Sequence, residues 1–211
     1  SIVKYGKRNT AEFLLEENQI NIYKHLDMMD SVRTFLDYHV ENTVEPYDKA
    51  IPYYECIYYL YKENYEMLAA TIDAAEAGYE EYWVQCYKYK IGYLRGRVLE
   101  SESKYEEALT MYLDALSYKP RHYNLRKAIG RLYRLSGDND KSIEIFKQLL
   151  LPDPRSGELN LEISKTYYAD GKRKKALEHL ETSLDVWKNA DATYKPAIEA
   201  KTKWDKWNLL N

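Results

Sequence analysis

Apolar and small residues recur every 34 positions along the second half of the chain. Five residue series keep this step: Gly96, Gly130 and Ser164; Ala108, Ser142 and Ala176; Tyr112, Phe146 and Leu180; Leu99, Tyr133 and Tyr167; and the pair Pro120 and Pro154. A period of this length predicts repeats that each consist of two antiparallel helices. The small residues let neighbouring helices approach closely, the large ones fill the space between them, and proline ends the second helix.

The register of these series predicts four repeats, which we number in chain order. The first lies at about 49–82, the second at 89–122, the third at 123–156 and the fourth at 157–190. Extra residues between the first and second repeats break the register and are predicted to extend the next helix back to Tyr82.

The turn between the paired helices contains glycine in the third and fourth repeats, at Gly137 and Gly171. Glycine at a helix C-terminus adopts the left-handed conformation at little cost. Asn64 is predicted to take that place in the first repeat, since asparagine also tolerates positive φ.

Both ends of the chain are predicted to be capping segments, because a terminal repeat otherwise exposes an apolar side to water. Residues 1–48 form an irregular N-terminal helical cap, with one helix over about 11–28 and an amphipathic one through Val32, Leu36 and Val40. Asp30 or Ser31 is the expected N-cap of that second helix.

Residues 191–211 are predicted to form a C-terminal capping helix. Thr193 is its expected N-cap, and Pro196 lies in its first turn, where the missing N–H costs little. Trp204 and Trp207 are expected to close the exposed face of the last repeat.

Composition narrows the classes of protein that fit. The 211 residues include 45% hydrophobic ones and 23 tyrosines, so a large core is possible. No stretch of 18 residues is free of charge, which excludes a membrane-spanning helix. The net charge of −3, with both signs intermixed, argues against nucleic acid as a partner. Cys56 and Cys86 form neither a disulfide framework nor a zinc set.

The 34-residue period, the order of small, aromatic and proline positions, and the segment KYEEALTMYLDALSYKP together resemble the tetratricopeptide repeat family. The C-terminal segment is similar to the ends of bacterial modules of this family. The resemblance implies an all-α fold, a right-handed α-α superhelix of antiparallel helix pairs whose first helices line a concave groove. This chain departs from the pattern at Gly92, Arg126 and Asn160, where the first helix usually carries a large aromatic residue, and at Lys188, where proline is expected.

The same resemblance implies which residues face the groove. The candidates for binding a peptide are Tyr53, Ile57, Lys90, Tyr93, Arg97, Lys127, Arg131, Arg134, Lys165 and Tyr168. Arginine forks match carboxylates in bidentate geometry, so the basic members predict an acidic or C-terminal carboxylate segment as ligand. An alternative interpretation is that these cations pair with acidic neighbours on adjacent helices. Other tyrosines, at Tyr112, Tyr133 and Tyr167, are expected to be core.

No residue pattern in the chain predicts catalysis. Glycine loops for phosphate, GxSxG, HExxH and CxxC motifs are all missing from the sequence. The four histidines are spread over different predicted helices, and His39 is expected to be half-buried and structural. The basic run Lys172 to Lys175 is interpreted as a solvated helix turn. We therefore expect no enzyme activity, no cofactor and no metal.

The leading hypothesis is a non-catalytic scaffold that binds a peptide or partner protein in the groove. The alternative is a regulatory or oligomerisation segment of a longer bacterial enzyme or sensor, because the chain begins at Ser1 and not at an initiator Met, and its C-terminal segment is similar to modules fused behind enzymes or sensors. Exposed apolar residues in the N-terminal helices also suggest a homo-oligomer. The compartment is not determined, although a cytoplasmic one is favoured.

Overall fold

The computed structural model describes residues 29–42, 51–82 and 87–208. Within these residues every regular element is an α-helix, as predicted. The helices are α1 Met29–Asn42, α2 Ile51–Tyr61, α3 Tyr65–Tyr82, α4 Lys88–Ser101, α5 Tyr105–Tyr118, α6 Tyr123–Leu135, α7 Asn139–Leu150, α8 Gly157–Ala169, α9 Arg173–Val186 and α10 Lys195–Asn208. None of these helices has the length and apolar character needed to cross a bilayer. The predicted helix over 11–28, and Cys86, lie outside the described residues.

The chain divides into two compact units, an N-terminal unit of residues 1–119 and a C-terminal unit of residues 120–211. In the N-terminal unit, α2 packs on α3 and α4 packs on α5, while α1 covers α2 and α3 adjoins α4. Its core joins Val32 and Leu36 of α1 to residues of the next three helices, among them Leu60, Leu68 and Leu94. The helix predicted from the spacing of Val32 and Leu36 is therefore confirmed.

In the C-terminal unit, α6 packs on α7 and α8 on α9, and α10 packs against α9 at the end. Phe146, Ile163 and Leu180 are the fully buried centre of its core. Trp207 of α10 is buried in the same cluster, and Trp204 is partly buried against it. The helix predicted at the C-terminus thus covers the apolar side of α9.

Close helix approach at the small residues is confirmed. A Cβ atom built on Gly96 would lie 2.1 Å from the ring of Tyr112, and one on Gly130 would lie 2.9 Å from the ring of Phe146. Each pair joins the first and second helix of one repeat across 16 residues. Both rings are fully buried, so neither glycine can gain a side chain without displacing core. Tyr167 is buried as expected, whereas Tyr133 is only half-buried.

The turns between paired helices adopt positive φ in all four repeats, and two of them use residues other than glycine. Gly137 and Gly171 have φ of 86° and 73°, as predicted. In the N-terminal unit the same place is taken by Glu63 and Ser103, with φ of 54° and 61°. The assignment of positive φ to Asn64 is wrong. Its side-chain oxygen instead accepts a hydrogen bond from the backbone N–H of Met67 at 3.1 Å and caps α3.

Three helix boundaries differ from the prediction. The helix α4 begins at Lys88, whereas Tyr82 is the last residue of α3, so no single helix runs back to Tyr82. The N-caps expected at Asp30 or Ser31 lie inside α1. Before α10, Thr193 donates its N–H and its hydroxyl to the carboxylate of Asp191, so the turn is closed by Asp191 rather than capped by Thr193.

Three first helices lack the large aromatic residue that the repeat pattern usually carries, and each replacement makes a different contact. Gly92 lets Ala115 of α5 approach, since a Cβ there would lie 2.7 Å from the Ala115 Cβ atom. Arg126 reaches across to hydrogen-bond Gln148 of α7 at the surface. Asn160 is buried and well bonded: its NH₂ group donates to the carbonyls of Pro154 and Ser156 at 3.1 and 2.9 Å.

Candidate functional site

The ten candidate residues lie on the first helices α2, α4, α6 and α8. Five belong to the N-terminal unit (Tyr53, Ile57, Lys90, Tyr93, Arg97) and five to the C-terminal unit (Lys127, Arg131, Arg134, Lys165, Tyr168). Arg97, Arg131 and Lys165 are 34 residues apart and therefore occupy one position of successive repeats. We call each set the first-helix face of its unit and describe the two separately.

Tyr53 has little surface left for a ligand. It is only 6% exposed, and its ring meets that of Tyr54 edge-on at 5.6 Å. The ammonium of Lys90 lies 4.6 Å from the centre of the Tyr53 ring, a favourable cation–π distance. Ile57 and Tyr93 are partly buried against the same core. Tyr53 is therefore a support for Lys90 more than a contact surface of its own.

Arg97 is the central cation of the N-terminal first-helix face, and tyrosine hydroxyls surround it. Its two terminal nitrogens donate to the hydroxyl of Tyr93 at 3.3 Å and to that of Tyr65 at 2.9 Å. A carboxylate oxygen of Glu100 lies 3.9 Å from the Arg97 Nε. The side chain remains 24% exposed. These two hydrogen-bond partners of the Arg97 guanidinium are thus neutral hydroxyl groups.

Tyr65 is a member of this site that the repeat pattern did not predict. It begins α3, a second helix, whereas the candidates were chosen from first helices only. The register of the repeat carries no signal that a second-helix tyrosine reaches the position of Arg97 32 residues later.

The cations of the C-terminal first-helix face are paired with acidic residues. Lys127 lies 2.6 Å from Glu158, which also accepts a hydrogen bond from the Tyr123 hydroxyl. Arg134 lies 2.9 Å from Glu162, and Lys165 contacts the other oxygen of the same carboxylate. These contacts are the arrangement that the alternative interpretation of the sequence describes.

Glu162 holds the centre of this ion cluster. Its side chain is only 13% exposed. Burial alone would raise the pKa of this carboxyl group, but the charges of Lys165, Arg134 and Arg131 outweigh burial and lower its pKa below the ordinary value. Glu162 is therefore ionised at neutral pH and neutralises its neighbours. The i, i+3 spacing to Lys165 was visible in the sequence, but the partner Arg134 on another helix was not.

The capping helix α10 covers the far side of the C-terminal first-helix face. Tyr168 stacks on Trp207 with ring centres 4.0 Å apart and planes 6° from parallel. Glu199 of α10 lies 3.3 Å from Lys165, and Lys203 lies 3.5 Å from Glu199. Tyr168 and Lys165 are therefore partly occupied by contacts within the chain.

The remaining candidates for chemistry are structural. His122 caps α6, with its ring Nδ1 accepting the Leu125 N–H at 3.3 Å. His179 contacts Asn160 at 2.8 Å, and since the Asn160 NH₂ group is already used, His179 Nδ1 is the donor. In the basic run, Lys172 pairs with Asp170 on an exposed turn. The described residues contain no group of side chains arranged to hold a metal ion. The side chain of His39 lies outside what the structure describes.

Two family models match the chain. Both are tetratricopeptide repeat models, one over residues 90–122 and one over residues 125–158. Residues 90–158 contain two tetratricopeptide repeats. The matched segments overlap the repeats predicted at 89–122 and 123–156, and the second match begins two residues later than predicted. Tetratricopeptide repeats build protein–protein interaction scaffolds, and proteins of this family are generally non-catalytic.

Solved structures share the fold at low sequence identity. TTC0263, a thermophilic TPR protein of Thermus thermophilus, has a TM-score of 0.63 and 17% identity, covering 92% of this chain and 99% of its own. YrrB, a TPR protein with an unusual peptide-binding site, has a TM-score of 0.54 and 20% identity, covering 89% and 90%. MamA of Desulfovibrio magneticus gives 0.56 and 16%, covering 84% and 96%. No curated protein matches the chain.

Proposed function

We propose that the chain is a non-catalytic scaffold that binds a peptide or a partner protein on the concave side lined by the first helices of its tetratricopeptide repeats. The observation that carries the proposal is the series Arg97, Arg131 and Lys165. A cation at this position of a first helix suits an acidic or C-terminal carboxylate segment as ligand. Arg97 lies in the N-terminal unit, and Arg131 and Lys165 lie in the C-terminal unit. The likeness to YrrB, which has a peptide-binding site, supports a peptide as ligand.

A display library of random peptides tests this function and selects its own ligands. Peptides selected on the wild-type chain are measured against the triple variant Arg97→Glu, Arg131→Glu and Lys165→Glu, and binding is expected to be lost. The matched control changes three exposed lysines at the starts of second helices, Lys104→Glu, Lys141→Glu and Lys174→Glu, with the same total charge change. Circular dichroism confirms that both variants fold.

Equal loss of binding in both variants would show that net charge, and not the first-helix face, determines binding. Selected peptides that bind the first triple variant unchanged would place the ligand on another surface and defeat the proposal.

A second candidate function is self-association through α1. Tyr38 and Val40 on this helix are each 53% exposed, and contact with a second copy of the chain would remove their apolar surface from water. Light scattering should then give more than one chain per particle at high concentration, and Val40→Glu should reduce it to one. A strict monomer in the wild type excludes this function.

A further inference from the structure

The two first-helix faces differ in how much of their positive charge remains available. In the C-terminal unit, Lys127, Arg134 and Lys165 each have a carboxylate of the same unit within 3.5 Å. In the N-terminal unit, Arg97 donates to two phenols, and its ion pair with Glu100 is long, with 3.9 Å between Nε and the carboxylate oxygen.

We infer that the N-terminal unit recognises a carboxylate side chain of an acidic partner segment through Arg97, and that the C-terminal unit does not, because Glu162 already supplies a carboxylate to Arg134 and Lys165. The inference rests on the proposed function and assigns recognition of the acidic groups of the ligand to the N-terminal first-helix face.

The geometry of Arg97 supports this role. A guanidinium carries five N–H donors, and the hydrogen bonds to Tyr93 and Tyr65 use one from each terminal nitrogen. One N–H on each terminal nitrogen remains to donate, and a carboxylate is the acceptor that takes two such guanidinium N–H groups at once. The Tyr65 hydroxyl accepts from Arg97, so its own proton can be donated to the same carboxylate.

The surroundings of Arg97 strengthen such a contact. Tyr65 and Tyr93 are half-buried, and the guanidinium lies 6.0 Å from the centre of the Tyr65 ring. A partly desolvated arginine held by two tyrosine hydroxyls loses little conformational entropy on binding, and arginine and tyrosine are among the residues that dominate interface energies.

Glu162 plays the opposite part in the C-terminal unit. Its two oxygens contact Arg134 and Lys165, which is how the carboxylate of a ligand would bridge them. An incoming acidic side chain would have to displace a nearly buried, ionised carboxylate of the chain itself, and both charges would then repel. The cations of this face therefore hold α6 and α8 together through Glu162.

The probe is a fluorescein-labelled hexaglutamate peptide, measured by fluorescence anisotropy at low and physiological salt. We expect Arg97→Gln to weaken binding by about tenfold or more, the scale of a hot-spot arginine. The matched variant Lys165→Gln, at the same repeat position, is expected to change it by less than about twofold, within the range of a paired surface charge. Arg97→Lys retains the charge but not the fork and should give an intermediate value.

The variant Glu162→Gln tests the second half of the inference. Removing this charge releases Arg134 and Lys165, so hexaglutamate should bind more tightly than to the wild type, and Lys165→Gln should now reduce it. Equal losses in Arg97→Gln and Lys165→Gln, unchanged binding in Glu162→Gln, or no binding to the wild type would each overturn the inference. Library peptides of any composition that still lose binding in the triple variant would leave the proposed function standing.

Discussion

The N-terminal and C-terminal units are built from the same helical repeat but differ in whether polar side chains are buried in the core. In the N-terminal unit the buried side chains are apolar or tyrosine, whereas the buried polar residues among the described part of the chain all lie in the C-terminal unit: Ser142, Asn160, Ser164, Thr166 and Ser183. Their partners lie within that unit, as in the 3.1 Å bond between Ser142 and Thr166. The two cores therefore depend on packing and on hydrogen bonding to different extents.

The first-helix faces show the same contrast. On the N-terminal first-helix face, Lys90 and Arg97 contact tyrosines. On the C-terminal first-helix face, Lys127, Arg134 and Lys165 each contact a glutamate. The same repeat backbone therefore carries different polar partners in the two units, and those partners determine which ligand groups each unit can bind. Substitutions at equivalent repeat positions should therefore have unequal effects.

The largest expected effect is at Asn160. Replacing it by leucine removes three hydrogen bonds and leaves the Pro154 and Ser156 carbonyls and His179 Nδ1 without this partner. We expect Asn160→Leu to lower the free energy of unfolding by about 3 kcal/mol, measured by urea denaturation. The control Asn124→Leu, at an exposed position of α6, should change it little. A tolerated Asn160→Leu would mean that the buried polar residues do not determine the stability of this unit.

Gly96 probes the packing of the N-terminal unit. The Cβ atom in Gly96→Ala would lie 2.1 Å from the Tyr112 ring, so α4 or the ring must move, at a cost of about 2 kcal/mol. At the equivalent position Ser164→Ala adds no Cβ and loses only a local hydroxyl bond to the Leu161 carbonyl. The thermal midpoint should therefore fall less in Ser164→Ala than in Gly96→Ala. Equal falls in the two variants would contradict the difference in helix approach.

Glycine and serine can be exchanged between the positive-φ positions of two turns, one in each unit. Ser103 has positive φ in the N-terminal unit, where a side chain is strained, and Gly137 holds the same place in the third repeat. We expect Ser103→Gly to stabilise and Gly137→Ser to destabilise by about 1 kcal/mol each, since left-handed backbone costs a non-glycine residue this much. Urea denaturation of both variants measures the exchange, and two changes of the same sign would refute it.

The smallest expected effect is a pH dependence from His179. Burial, followed by the charge of Lys147, lowers its pKa, although Glu178 opposes this. A histidine whose folded-state pKa is lowered contributes stability that is complete above its ordinary pKa of about 6.5 and declines as the pH falls below it. The free energy of unfolding should therefore fall between about pH 7.5 and about pH 5.5, and less so in His179→Gln. A slope that is identical in the two proteins would exclude this contribution.

The fold was predictable because helix approach depends on volumes, and volumes are visible in the sequence at a fixed period. Gly96 and Gly130 marked the repeats by their small size, and Gly137 and Gly171 marked the turns because glycine adopts positive φ at little cost. The polar partners were not predictable, because Tyr65 reaches Arg97 from a different helix, and Glu162 reaches Arg134 in the same way. Asn64 and Ser103 show the same limit locally: a residue that tolerates positive φ serves as a cap, and a less tolerant one occupies the turn.

The contact between Gly96 and Tyr112 also has a consequence for how this sequence can change over generations. The two positions form one volume, so a larger residue at 96 becomes acceptable only after the residue at 112 has become smaller. The fourth repeat already has the other combination, Ser164 with Leu180. The residue on the second helix must therefore become smaller before the residue on the first helix can become larger. Related sequences should show such paired substitutions at positions 16 residues apart.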